Sequence, residues 1–147
     1  MDWYTPAEEV VLLEPDRVVT RRLVQDHEPA FRDHFPGRPV LPGVLAVEAL
    51  TRACRRVLEG RVPGAERWVL GSASMVRFNR FVEPGQWLVC EARLIGHDAA
   101  HASMTAIARI EDEQQPGGGT PAVNGRLVLR PVRLGLELPG TPALPTT

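Results

Sequence analysis

The stretch HFPGRPVLPGVLAVEAL, residues 34–50, joins a corner rich in proline and glycine to an apolar segment that carries one acid, Glu48. From Pro42 to about Leu58, apolar residues recur at steps of three and four, which is typical of one buried helix face. Those residues are Val47, Leu50, Cys54 and Val57. Proline suits the first turn of a helix and glycine its end. The pattern therefore predicts one long helix from Pro42 to a stop at Gly60, after an ordered irregular loop.

The segment before that loop, Val10 to Val24, is rich in branched apolar residues and broken at Glu14-Pro15-Asp16. It predicts two short strands around a turn. After the helix, residues 68–78, 86–96 and 101–111 have the composition of strands.

The segment 112–125, rich in glycine and polar residues, predicts an interruption before a last strand region at 126–138. Consecutive strands with short links favour an antiparallel sheet, so we expect an α+β domain with that sheet packed on one helix. We expect residues 1–147 to form a single domain with a mobile tail at about 140–147.

Composition excludes several function classes. The formal net charge of -1 gives no overall attraction to nucleic acid or a membrane surface, and neither is expected as a partner. The basic residues are all arginine, and the absence of lysine excludes Schiff-base catalysis and a P-loop lysine in this chain.

The cysteines and the chain start indicate a cytoplasmic protein. Cys54 and Cys90 lie in apolar runs without metal-ligand spacing, which predicts buried, reduced thiols. The start MDWYTPAEEV lacks the features of a signal peptide, and no apolar run is long enough to span a bilayer. His97 and His101 flank a predicted strand turn, so no metal site is expected.

The start of the predicted helix has the features of a site that binds a carbonyl oxygen. Its first amides, at Gly43 and Val44, have no hydrogen-bond partner within the helix. They lie at the positive end of the helix dipole, which attracts negative charge. His34 lies on the preceding loop and Glu48 about one and a half turns inside the helix. If the loop folds back, a base (His34), an acid (Glu48) and the amide donors of the helix start come together in one site. They come either from one chain or from two.

The segment EPAFRDHFPGRPVLPGVLAVEAL, residues 28–50, resembles the signature of the 3-hydroxyacyl-[acyl carrier protein] dehydratases of the FabZ/FabA type. The segment MVRFNRFVEPGQWLVCEARL, residues 75–94, is similar to the later strand pair of that family. The resemblance implies a hotdog fold, in which an antiparallel sheet wraps around one long helix. It also implies dehydration of 3-hydroxyacyl thioesters to trans-2-enoyl thioesters, in fatty-acid or polyketide biosynthesis.

By position, the resemblance places the catalytic histidine on His34, the catalytic carboxylate on Glu48 and the amide that polarises the thioester on Gly43. Substrate or carrier-protein contacts are implied for Phe35, Pro42, Arg52, Arg77 and Arg80. The family needs no cofactor beyond the phosphopantetheine arm of the acyl carrier protein, which is the expected partner. The two side chains of one site come from different subunits, so a homodimer or higher homo-oligomer is implied, with a heterodimer containing a second hotdog subunit as the alternative.

Two positions depart from the family pattern. Arg52 stands where glutamine is usual, one turn from Glu48, and either pairs with that acid and lowers its pKa or points outward to a carrier protein or another subunit. Asp33 replaces a glycine beside His34 and favours a protonated imidazole. The role of proton donor requires a protonated Glu48, and burial against Val44 and Leu45 is the expected means of raising its pKa.

Two alternatives stay open at this point. One is a hotdog thioesterase in which Glu48 activates water. The other is a non-catalytic hotdog subunit that completes a partner dehydratase, because Asp33 and Arg52 alter the proton balance of the site.

Overall fold

The computed structural model describes residues 7–31, 40–111 and 119–132. These residues form six strands and one α-helix. They are β1 (Glu9–Glu14), β2 (Arg17–Leu23), α1 (Gly43–Glu59), β3 (Trp68–Phe78), β4 (Trp87–His97), β5 (Ala102–Glu111) and β6 (Thr120–Pro131). The expected mobile tail at 140–147 lies outside the described residues.

The six strands form one antiparallel sheet in the order β1-β2-β4-β5-β6-β3. Helix α1 packs on one face of this sheet, mainly against β4. On that face β4 presents Leu88, Cys90 and Ala92, all buried, because side chains alternate between the faces of a strand. The predicted α+β hotdog architecture is confirmed: a sheet around a single long helix.

The predicted apolar stripe of the helix is the surface that faces the sheet. Leu50, Cys54 and Val57 are buried, and Val47 is half-buried against the same core. Cys54 and Cys90 are both free and buried, as predicted. No helix within the described ranges is long and apolar enough to cross a membrane.

The predicted elements are close to the observed ones. The turn at Pro15 and Asp16 separates β1 from β2, and β3 has the predicted bounds. Pro42 is the N-cap of the helix instead of a residue in its first turn, and Leu41 donates a backbone hydrogen bond to Val82 at 2.7 Å that fixes this end. Gly60 caps the other end at φ -81°, a conformation open to any residue.

One predicted loop is wrong in part. Residues 120–125 belong to β6, which the sequence placed no earlier than residue 126. Proline, asparagine and glycine in this segment indicate a turn, yet the segment pairs with β5 from Ile110↔Thr120 to Ala106↔Gly125. Pairing with neighbouring strands thus outweighed local turn propensity.

The loop before the helix is described as far as Phe31. It contains a 3-10 turn at Pro29–Phe31 and is held to β2 by the buried pair Arg22–Glu28, in which one guanidinium nitrogen lies 3.0 Å from both carboxylate oxygens. Glu28 also accepts a hydrogen bond from the amide of Gln25 at 2.6 Å. This ion pair therefore anchors the chain six residues before His34.

Strand β3 contains a bulge that reverses which residues face the helix. Between the pairs Ser74↔Arg126 and Arg77↔Asn124, two residues of β3 stand opposite Gly125 of β6. Met75, one of these two, has φ +54°. Without the extra residue Arg77 would face the helix, whereas here it shares the outer face with Arg126.

Candidate active site

The start of α1 meets the end of β3. Because the bulge turns Phe78 towards the helix, its ring lies against Gly43, where an added Cβ would be 2.8 Å from Cε1 of Phe78. Glycine at 43 therefore allows this packing, because any side chain there would meet the ring. The amides of Gly43 and Val44 have no acceptor within the helix, and the described residues supply none outside it.

Glu48 lies on the open side of the helix, about 7–8 Å along its axis from Gly43. Half of its side chain is exposed, and its carboxylate is 3.4 Å from Arg55 and 3.8 Å from Arg52. The apolar neighbours expected to bury it are themselves exposed, Val44 by 73% and Leu45 by 37%. The expected burial of this acid is therefore not supplied by the described part of the chain.

Arg52 has a second and closer partner. Its Nε and Nη2 atoms donate to one carboxylate oxygen of Glu8 at 2.8 and 2.6 Å. Arg52 is thus within ion-pair distance of Glu48, but its short contacts go to Glu8 of the same chain, just before β1. A contact of Arg52 with a carrier protein or another subunit stays a prediction. Two carboxylates and two arginines form one network on the open side of the helix: Glu8, Arg52, Glu48 and Arg55.

Exposed apolar side chains surround the helix start. Val44 on the helix, Phe78 at the end of β3 and Phe81 just after it are each more than 60% exposed. Among the described strands β3 pairs only with β6, so its other edge presents free backbone donors and acceptors. This combination of an open strand edge and clustered apolar groups is typical of a surface that a protein partner covers.

The remaining predicted site residues are two arginines within the described residues and two residues outside them. Arg77 lies on the outer face of the sheet, away from the helix, and Arg80 is an exposed residue of the segment after β3. His34 and Phe35 lie outside the described residues, so their roles stay predictions.

Sequence reasoning missed Glu8 and the part played by Arg55. Glu8 is 44 positions from Arg52, and such a contact leaves no local signal. For Arg55, the spacing of seven from Glu48 was the available signal, since residues two turns apart on a helix share a face. Within the described residues no cluster of three potential metal ligands occurs.

The six-stranded antiparallel sheet around one helix defines a hotdog-fold protein. Solved structures of similar shape include the dehydratase heterocomplex ApeI:P from Xenorhabdus doucetiae, with a TM-score of 0.66, 21% identity, and coverage of 86% of this chain and 99% of that one. The PaaI protein of the E. coli phenylacetic acid degradation operon matches with a TM-score of 0.64, 11% identity, and coverage of 84% and 82%. At these identities the likeness shows the fold.

Sequence comparison is more specific. The family model named ApeI-like, described as ApeI dehydratase, matches residues 11–114. The 3-hydroxyacyl-[acyl-carrier-protein] dehydratase FabZ of Neisseria meningitidis is 32% identical over 108 residues, 71% of this chain and 72% of that protein. FabZ of Thermotoga petrophila is 31% identical over 98 residues, 67% and 70%. The chain belongs to the ApeI-like dehydratase family, of the FabZ/FabA type.

Proposed function

We propose that this protein dehydrates 3-hydroxyacyl thioesters carried on acyl carrier protein to trans-2-enoyl thioesters, in fatty-acid or polyketide biosynthesis. The observation that carries the proposal is the first turn of α1, where the Gly43 and Val44 amides have no acceptor among the described residues and Glu48 stands further along the helix on its open side. The family relationship supplies the reaction class.

In this mechanism neutral His34 removes the proton next to the thioester carbonyl. Negative charge then gathers on the carbonyl oxygen, where the Gly43 amide and the positive helix end stabilise it. Glu48 donates its proton to the departing hydroxyl, so the products are water and the enoyl thioester. The phosphopantetheine arm of the carrier protein presents the acyl group, and the chain itself requires no further cofactor.

We propose further that two chains build each site. The open edge of β3 and the exposed Val44, Phe78 and Phe81 lie beside the helix start and suit a second hotdog chain. A chain placed there brings its own loop towards Glu48 and withdraws that acid from water, which favours its protonated form. His34 of one chain then works with Glu48 of the other.

A second candidate, a subunit that completes a partner dehydratase, is favoured by the two arginines beside Glu48. Arg52 and Arg55 lie within ion-pair distance of Glu48 and compete with a substrate hydroxyl for its carboxylate. In that case the chain is active only with a second hotdog subunit. The ApeI:P structure, described as a dehydratase heterocomplex, is a neighbour by fold.

The test is mass analysis of a 3-hydroxyacyl carrier protein before and after incubation with the purified protein. Loss of water, or gain of water by the enoyl carrier protein, is the expected result. Release of the free thiol would indicate a thioesterase instead. No change with the chain alone, followed by loss of water after a second hotdog subunit is added, would indicate the non-catalytic role.

Three variants assign the roles. His34→Ala and Glu48→Gln are expected to lower turnover by about a hundredfold or more each, the usual scale for a lost acid or base. Glu59→Gln is the matched control, because Glu59 is another exposed glutamate of the same helix, at the end away from the site. Equal activity of the Glu48 and Glu59 variants would remove Glu48 from the mechanism.

A further inference from the structure

The outer face of the sheet, away from α1, contains a concavity of about 480 Å³. One row of paired residues crosses it from β4 to β6, namely Arg93, Thr105 and Arg126. The two arginines are two strand spacings apart, about 10 Å, with the small Thr105 between them. Their side chains therefore flank a gap above Thr105.

Arg77 joins this group because of the bulge in β3. It pairs with Asn124, the residue two before Arg126 on β6, and the bulge turns it to the outer face. Gly125, opposite the bulge, is needed for this close approach, since an added Cβ would be 3.1 Å from Cγ2 of Val76. Three arginines from three strands thus line one concavity.

The charge at this surface is unbalanced. Glu91 is shared by Arg17, Arg93 and Arg109, the last two at 3.6 and 3.5 Å. Burial raises the pKa of Glu91, but these arginines outweigh it and hold the pKa below its usual value. Arg77 and Arg126 have no carboxylate within ion-pair distance among the described residues.

The lining of the concavity therefore contains three arginines, Arg77, Arg93 and Arg126, against one carboxylate, Glu91, on a chain of net charge -1. Like charges that stand near each other in a sheet repel, and Arg93 and Arg126 lie on either side of Thr105 in one row. An anion bound between the arginines relieves that repulsion.

We propose that the concavity on the outer face binds a phosphomonoester, with the phosphate held by Arg77, Arg93 and Arg126 and the organic body against Met75 and Ile107. This site is separate from the helix start, and it does not rest on the proposed dehydratase activity.

The chemistry favours a phosphate dianion over a carboxylate. The planar guanidinium donates two parallel hydrogen bonds to a phosphate, and three arginines against one carboxylate leave a surplus of two positive charges, which matches a dianion better than a single charge. Thr105 and Asn124 add neutral polar groups at the same place, while Met75 and Ile107 give the concavity an apolar part.

The test is titration calorimetry of the full chain with two probes, phenyl phosphate and inorganic phosphate, at low ionic strength. Phenyl phosphate is expected to bind more tightly. Its affinity is expected to rise as the pH passes about 6, where the second phosphate proton dissociates, and to fall with added salt. Equal affinity for the two probes would overturn the proposal of an ester, because the apolar part then contributes nothing.

Arg126→Gln and Arg77→Gln are each expected to weaken binding of phenyl phosphate about tenfold, the usual scale for one charged hydrogen bond. The matched control is Arg130→Gln, since Arg130 is an exposed arginine on the same strand and face whose side chain contacts its own neighbour Pro131. Unchanged binding in the control supports a defined site. Equal losses in all three variants, or no binding to the unmodified chain, would overturn the proposal.

Discussion

The two sides of helix α1 differ in how fully the rest of the chain covers them. On the side towards the sheet, Leu50 and Cys54 are at most 1% exposed and packed among buried neighbours. On the other side Glu48 keeps half of its side chain in solvent and Val44 is 73% exposed. The difference teaches that the chain covers its own core, whereas the site proposed at the helix start would be completed by a second chain.

The largest effect is expected from the buried side. Leu50→Ala removes a completely buried side chain and should lower the free energy of unfolding by about 2 to 5 kcal/mol, from lost burial and the cavity that remains. Val44→Ala on the open side should change the stability of the isolated chain by less than about 0.5 kcal/mol. Urea denaturation measures the free energy of unfolding of both variants. Equal losses of this free energy would contradict the difference in burial between the two sides.

The ion pair Arg22–Glu28 extends the comparison to polar groups. Both side chains are at least 95% buried, so Glu28→Gln leaves a buried arginine without its counter-charge and should cost about 3 kcal/mol. Glu59→Gln, which breaks an exposed pair at 3.8 Å, should cost less than about 1 kcal/mol. Similar melting curves for the two variants would contradict the assignment of Arg22–Glu28 as an anchor.

The buried thiols predict a pH dependence. Burial raises the pKa of Cys54 and of Cys90 to about 12, whereas the pKa of a thiol in the unfolded chain is about 8.5. The stability from each neutral thiol is complete below about pH 8.5 and is lost as the pH rises towards 12, by about 1.4 kcal/mol per pH unit per thiol. No lysine titrates in this range to mask the effect.

Urea denaturation between about pH 8.5 and 10 measures this slope. Cys54→Ala and Cys90→Ala should each make it shallower. A slope that is the same in the unmodified chain and in both variants would count against the buried, neutral thiols.

The smallest effect on stability is expected on the open side. Glu8→Gln weakens a partly exposed pair and should cost about 1 kcal/mol or less. It also leaves Glu48 as the carboxylate nearest to Arg52, and a closer ion pair there should lower turnover. Glu9→Gln, next in the chain and paired with Arg21 at 3.4 Å, is the control and should keep full turnover.

Much of the fold follows from local pattern. The stripe Leu50, Cys54 and Val57 sets the helix and its buried face, and Pro15 sets the first turn, because each depends on residues close in sequence. The bulge at Met75 was not predicted, since simple alternation places Arg77 on the wrong face. The early start of β6 at Thr120 was missed because pairing with β5 overrides its turn residues.

The site is less predictable than the fold. The helix start and Glu48 could be found from the spacing of Pro42, Gly43 and Glu48. The contact of Arg52 with Glu8 joins residues 44 apart, and the exposure of Glu48 depends on what covers it, so neither has a signal within the quoted stretch.

The most direct test of the account mixes two inactive variants, His34→Ala and Glu48→Gln, unfolds and refolds them together, and measures water loss from a 3-hydroxyacyl carrier protein. If each site takes His34 from one chain and Glu48 from the other, mixed dimers regain one intact site, and activity should return to about one quarter of the unmodified protein at equal amounts. No activity in the mixture, with each variant still folded and dimeric, would contradict a site shared between two chains.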